Sequence, residues 1–233
     1  MFFDYRHRWV ILVATLVGMA ITGSLGRWQL NRAAQKEAIQ ASLDERRALP
    51  PLSPNSLAST EAGAEAQHHR RVVLTGRWLA ERTVFLDNRP LDGQAGFIVV
   101  TPLLMGPGDA VLVQRGWVPR DPRERTRLPA PWTPSTPVAI EARIAPPPSV
   151  RMAFAPEAAG PIRQNLEPAA YEREIGVKLR PLSVLQFTPT DPRDTLTRRW
   201  PDPAVNVATH YGYAVQWFGL CATLAGLYVW FQL

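Results

Sequence analysis

The chain has 233 residues, a net charge of +6 from 26 Lys and Arg against 20 Asp and Glu, and one cysteine. A single cysteine, Cys221, excludes a disulfide framework, a CxxCH haem attachment and any paired-thiol copper or zinc site. The basic residues stand in short runs among acids, at Arg46-Arg47, Arg70-Arg71, Arg123 to Arg127 and Arg198-Arg199, which fits solvated faces or contacts to anionic membrane lipid and argues against nucleic acid as a partner. The mean hydropathy of −0.12 looks soluble, but the apolar residues are concentrated at the two ends.

In chain order, residues 1–8 form a short tail, and Trp9 to Leu25 then runs without a charge for roughly 26 Å, the short end of a bilayer core. A first transmembrane helix is expected over 9–28. A cleaved signal peptide is the alternative, but Gly26-Arg27-Trp28-Gln29 offers no A-x-A site. Residues 29–67 read as a helical stalk that Pro50-Pro51 stops, followed by a Pro-, Ser- and Ala-rich linker. A β-rich domain is expected over 68–190. Its short β-branched runs VVLTGRWL, TVFLDN, GFIVVTPLL, AVLVQRGWV and VAIEARI are separated by turn residues, and Leu182 to Phe187 adds one more. No long helix follows any strand, so the strands are expected to pair antiparallel, as a small sheet or barrel. One short helix is expected from Leu166 to Ile175, with Asn165 as its N-cap and Gly176 as its stop.

Residues 191–209 form a connector, and 210–233 a second transmembrane helix, uncharged from Tyr211 to Leu233 over roughly 34 Å. The fold class is therefore membrane α plus a β-rich soluble domain. Two spans place both termini on one side, and the short N-terminal tail is easier to keep inside than to export. Both termini are expected in the cytoplasm and the central domain outside.

Neither a Gly-rich phosphate loop, a GxSxG elbow, an HExxH helix nor a Ser/His/Asp set can be assembled, so the chain reads as a non-enzyme. His68-His69 sits in a polar loop without a third ligand. His210, Tyr213 and Trp217 fall at i, i+3 and i+7 on one helical face at the start of the second span. That face suits an interfacial anchor first, and an axial haem ligand among aromatics as the alternative.

Four ordered motifs resemble the Surfeit locus protein family of cytochrome c oxidase assembly factors, in its bacterial form. Leu25-Gly26-Arg27-Trp28-Gln29-Leu30 with Arg32 and Lys36 is similar to the family's LGxWQLxRxxxK signature. Asn88-Arg89, Gly93 and Gly96-Phe97 leading to Thr101-Pro102-Leu103 continue the pattern, and Val113 to Pro119 follows its RGWVP strand. His210, Tyr213-Ala214 and Gln216-Trp217-Phe218 are similar to its HxxYAxQWF segment. Many members carry paired asparagines before the histidine, where this chain has Asn206-Val207-Ala208-Thr209.

The resemblance implies a helper of haem a insertion into the large catalytic subunit of cytochrome c oxidase, working with the haem a synthesis machinery. It places the domain in the periplasm of a bacterial inner membrane, to which the start of the first span near Trp9 also points, and implies His210 as ligand to haem iron. Trp28 and Trp217 can then wall the macrocycle and Arg27 or Arg32 meet its propionates, or all four are ordinary interfacial residues. Arg89, Arg115 and Trp117 are either structural braces or a partner surface. A scaffold that never holds haem and a membrane-tethered enzyme are the rival classes.

Overall fold

The computed structural model describes residues 5–124, 126–148, 160–200 and 206–232. Residues 1–4 of the tail expected over 1–8, Arg125 of the basic run, residues 201–205 of the connector and the final Leu233 lie outside these residues. The chain divides into a helical unit, built from its two ends, and a β unit that begins at Arg46.

The helical unit consists of α1 (Tyr5–Ala48) and α4 (Val207–Gln232). Stalk and first span are thus one continuous helix of 44 residues, about 66 Å long. Good helix formers run without Pro from the span to Ala48, and Pro50 then ends the run. Both helices are long and apolar enough to cross a membrane, and only 6% of each apolar window is buried. Side chains such as Trp9, Val10, Val215 and Trp230 are 64–81% exposed. So large an uncovered apolar surface, which a buried core helix does not show, is what a lipid environment covers.

The two helices pack antiparallel through small residues. A Cβ on Gly18 would stand 3.1 Å from Leu224, one on Gly23 4.0 Å from Cys221, and one on Gly26 2.8 Å from the Phe218 ring. Glycines at 18, 23 and 26 let the backbone approach these larger side chains closely, as helix pairs in membranes do.

The β unit contains β1 (Arg71–Trp78), β2 (Val84–Leu86), β3 (Gly96–Gly106), β4 (Asp109–Pro119), β5 (Val138–Ala145), β6 (Ile162–Arg163) and β7 (Lys178–Gln186). Along the sheet the order is β1-β5-β7-β4-β3-β2-β6, and β1 also pairs with β3 through Arg77↔Leu104 and Trp78↔Leu103. Five strands therefore close into a barrel, β1-β5-β7-β4-β3, while β2 and β6 extend the wall outward from β3. This is a five-stranded Greek-key barrel, an architecture that by itself fixes no function.

The five expected strand runs and the one around Leu182 all appear, and the turns fall where Asp92-Gly93 and Pro107-Gly108 stand. Gly108 takes a φ of +68° between β3 and β4, a conformation that glycine adopts without steric cost. Not every pair is antiparallel: β4 with β7, and β2 with β6, run parallel. The chain reaches β7 only after crossing through β5, β6 and a helix, so β7 arrives beside β4 pointing the same way.

The barrel interior gathers Val72, Leu74 and Trp78 of β1, Leu103 of β3, Val111 and Val113 of β4, Ile140, Ala142 and Ile144 of β5, and Leu182 and Val184 of β7. Alternation along β1, with every second residue buried, sends these side chains inward. The segment 50–67, expected as a linker, is part of this core. Leu52 bridges to Val72, and Leu57 and Ala64 are 3% and 1% exposed against the barrel cluster. Ala64 lies on α2 (Glu61–Gln67), a second short helix that Thr60 caps by accepting from the Gly63 amide.

On the outer wall α3 (Pro168–Ile175) packs Tyr171 and Ile175 against Val84, Leu86, Val100 and Leu112. Its N-cap is Glu167, whose carboxylate accepts from the amides of Ala169 and Ala170, so Asn165 does not cap it. Pro168 at the first position and Gly176 at φ +69° define its ends.

Candidate functional site

At the ends of α1 and α4 that connect to the barrel, one face of α1 carries Gly26, Gln29 and Ala33 at i, i+3 and i+7, all buried. Gly26 lies against Phe218. Gln29 is 9% exposed, and its Oε1 accepts from Nδ1 of His210 at 2.7 Å. Further along, the Tyr211 hydroxyl donates to Oε1 of Glu37 at 2.9 Å. Two polar side-chain bonds thus tie the helices at this end, whereas between Gly26 and Gly18 the contacts are with glycines, apart from the Cys221 thiol donating to Met19 O at 3.6 Å.

The register also fixes depth. The charge-free stretch of α1 lies between Arg8 and Arg27, and Gly26 at its end is level with Phe218. A hydrocarbon slab matched to that stretch ends near Phe218, and His210, eight residues earlier on α4, stands about 12 Å further along the axis. His210 therefore belongs to the headgroup and water zone rather than to the hydrocarbon.

The site residues read from the sequence fall on two faces of this unit. His210 and Trp217 are half-buried on the α1-facing side of α4, with Ala214 between them 2% exposed. Tyr213 flanks that side and is 48% exposed. Trp28 is exposed on α1, as are Arg27 and Arg32, and the Arg32 guanidinium sits 5.7 Å from the centre of the Trp28 ring. The structure brings His210 to Gln29 and Arg32 to Trp28. It gives no direct contact between the two tryptophans.

The chemistry open to the His210 ring depends on its two nitrogens. With Nδ1 engaged by Gln29, Nε2 has no hydrogen-bond partner among the described residues. A half-buried imidazole with one nitrogen fixed and the other open suits an axial ligand to haem iron. Among the described residues, no group of three or more His, Cys, Asp or Glu could hold a bare metal ion.

Arg89, Arg115 and Trp117 are not available as a partner surface, being 5%, 0% and 9% exposed. Arg115 is the extra residue of a bulge, since Val99 pairs with Gly116 and Val100 with Gln114, and the bulge turns its side chain inward. Its guanidinium lies 4.6 Å from the Trp78 ring centre and donates to Trp132 O at 2.6 Å and Thr133 Oγ1 at 2.7 Å. Asp194, with no exposed side-chain surface, is 3.9 Å away and also binds Arg198. Burial pushes the Arg115 guanidinium down to about 10, and Asp194 opposes the fall. Trp117 donates its indole N–H to Arg89 O at 2.6 Å, and Arg89 donates to Gln164 O at 3.0 Å. These residues lock the barrel's end.

His68 and His69, at the start of β1, pack edge to face at 6.4 Å. Burial foremost lowers both imidazoles below their usual value; Glu65 opposes the shift at His68, and the Arg143 and Arg47 charges add to it at His69.

Fold and site together define a protein with two membrane-length helices joined through a β-barrel, with two bonds between polar side chains at the barrel-proximal helix ends. The SURF1 family profile matches residues 16–222, and the chain belongs to that family. It is 34% identical over 130 residues to Surfeit locus protein 1 of Arabidopsis thaliana, covering 52% of this chain and 36% of the relative. It is 30% identical over 95 residues to cytochrome oxidase assembly protein SHY1 of Saccharomyces cerevisiae, covering 40% and 24%, and 29% identical over 107 residues to a SURF1-like protein of Rickettsia felis, covering 45% of each. The alignments span from a quarter to under half of these relatives' length.

Proposed function

We propose that this chain is a non-enzymatic assembly factor of cytochrome c oxidase that takes up haem a at the paired helix ends and delivers it to the large catalytic subunit. Family membership supports the assembly role, as does likeness to a yeast protein named for oxidase assembly. The observation that carries the haem step is His210, half-buried at the barrel-proximal helix ends, with Nδ1 held by Gln29 and Nε2 without a hydrogen-bond partner among the described residues. His210 is the iron ligand in this reading. Tyr213, Trp217 and Trp28 supply aromatic surface for the macrocycle, and Arg27 and Arg32 supply cations for its propionates. The haem a synthesis machinery is the donor. The natural setting is a bacterial inner membrane with the barrel in the periplasm and both termini in the cytoplasm.

The test is made in a host lacking the protein. Oxidase purified from it is expected to be depleted in haem a, restored by the wild-type chain and not by His210→Ala at equal membrane abundance. Full restoration by His210→Ala contradicts the haem step, and oxidase of normal haem content in the host lacking the protein contradicts the assembly role.

A further inference from the structure

We infer that Gln29 is the positioning residue of this site: its side-chain carbonyl holds His210 in the Nδ1–H tautomer and so leaves Nε2 with the lone pair that a metal requires. The inference rests on the reading of His210 as an iron ligand and deepens it.

Gln29 is buried to nine-tenths on a face it shares with Gly26 and Ala33. An amide on such a packing face is costly unless it is bonded, and its Oε1 is bonded to Nδ1 of His210 at 2.7 Å. An amide oxygen carries lone pairs and no proton, so the proton of this contact belongs to the imidazole. A neutral imidazole has one N–H, and with that proton on Nδ1 the lone pair lies on Nε2. Nε2 meets no hydrogen-bond partner among the described residues.

A purely structural clamp does not explain the arrangement as well. The Tyr211–Glu37 bond and the close packing of Gly26 and Phe218 already join the helices on either side. What the Gln29 bond adds is a fixed ring orientation and a fixed tautomer, the usual contribution of the group behind a metal-binding histidine.

The test uses the full chain in detergent micelles with 15N-labelled histidine, assigned through His210→Ala. Long-range 1H–15N correlations are expected to show the Nδ1–H pattern for His210 in the wild type. Gln29→Leu shifts it toward Nε2–H, and Gln29→Glu, which still accepts at that position, retains it. Haemin titration is expected to give a dissociation constant raised about 10- to 100-fold in Gln29→Leu, with binding by Gln29→Glu no weaker than wild type. Far-UV circular dichroism confirms that both variants keep their helices.

An Nε2–H pattern in the wild type overturns the inference, as does a Gln29→Leu variant unchanged in tautomer and affinity. The two failures are distinct. Haemin held undiminished by His210→Ala overturns the ligand reading, whereas the tautomer measurement, made without haemin, decides the Gln29 assignment by itself.

Discussion

Both units of this protein bury polar side chains, and they treat them in opposite ways. In the barrel, Arg115 is sealed from the surface: Trp78 covers its face, Trp132 and Thr133 take its terminal nitrogens, Asp194 stands 3.9 Å away, and its Nε is buried without a hydrogen bond among the described residues. In the helix pair, His210 has one nitrogen held by Gln29 and the other open. A buried polar group whose bonds close on the protein itself serves the fold. One with an atom open towards the surface can meet a ligand, so the helix ends rather than the barrel's arginines are the proposed working site.

The largest expected effect breaks the barrel side of this contrast. Arg115→Met removes the central cation, leaves Asp194 with Arg198 alone, and is expected to cost about 3 kcal/mol. At about 2–4 °C per kcal/mol the barrel's thermal midpoint falls by roughly 6–12 °C, read by near-UV circular dichroism. Haemin binding by the variant at low temperature stays at the wild-type level. A variant that unfolds normally but loses haemin would return Arg115 to the functional site.

Glycine substitutions give the next largest difference. A Cβ on Gly96 would meet the Trp117 ring and stand 2.5 Å from the backbone oxygen of Val118, so Gly96→Ala must displace main chain and is expected to cost about 2–3 kcal/mol. On Gly26 the clash is with the ring of Phe218, which is 41% exposed and can swing aside. Gly26→Ala is expected to cost under about 1 kcal/mol, at the low end of the overpacking range. Equal shifts in the two midpoints would show that the helix pair is packed as rigidly as the barrel.

These contrasts mark what was legible in the sequence. The strands announced themselves through β-branched runs and turn residues, because alternation is a local property, and both long helices did so through charge-free stretches. Barrel closure was not local: the parallel β4–β7 pair depends on a crossover of more than fifty residues. Leu57 and Ala64 sit in a Pro- and Ser-rich segment without periodicity, so their burial showed only once the barrel existed to receive them. Arg89, Arg115 and Trp117 read as braces more readily than as a surface, but the choice stayed open, since only the bulge at Arg115 decides which way its side chain points. Gln29 stood inside a quoted motif, and its position three residues after Gly26 marks a packing face, but its partner depended on the register of α4.

Smaller effects follow from pH. The folded imidazoles of His68 and His69 lie below the usual value of 6.5, so the unfolded chain binds protons more readily. Barrel stability is full above about pH 6.5 and declines as pH falls through that value toward the folded one. Denaturant midpoints across this window check it, and His68→Gln with His69→Asn flattens the decline; Asn suits the φ of +70° at residue 69. Smallest is the effect at half-buried Asp191, which Arg193 holds down at about 2 by side-chain and backbone hydrogen bonds. Its stabilising contribution is present above the ordinary carboxylate value of 3.8 and is lost as pH falls through about 2. NMR titration is expected to find that midpoint, and Arg193→Ala to raise it.

The most direct measurement is the Soret absorbance of the full chain purified in detergent from a haem a-making host. Wild-type protein is expected to carry a Soret band that disappears in His210→Ala and persists in Arg115→Met. A band undiminished in His210→Ala, or a wild-type protein that is colourless, would contradict the helix-pair end as a haem site.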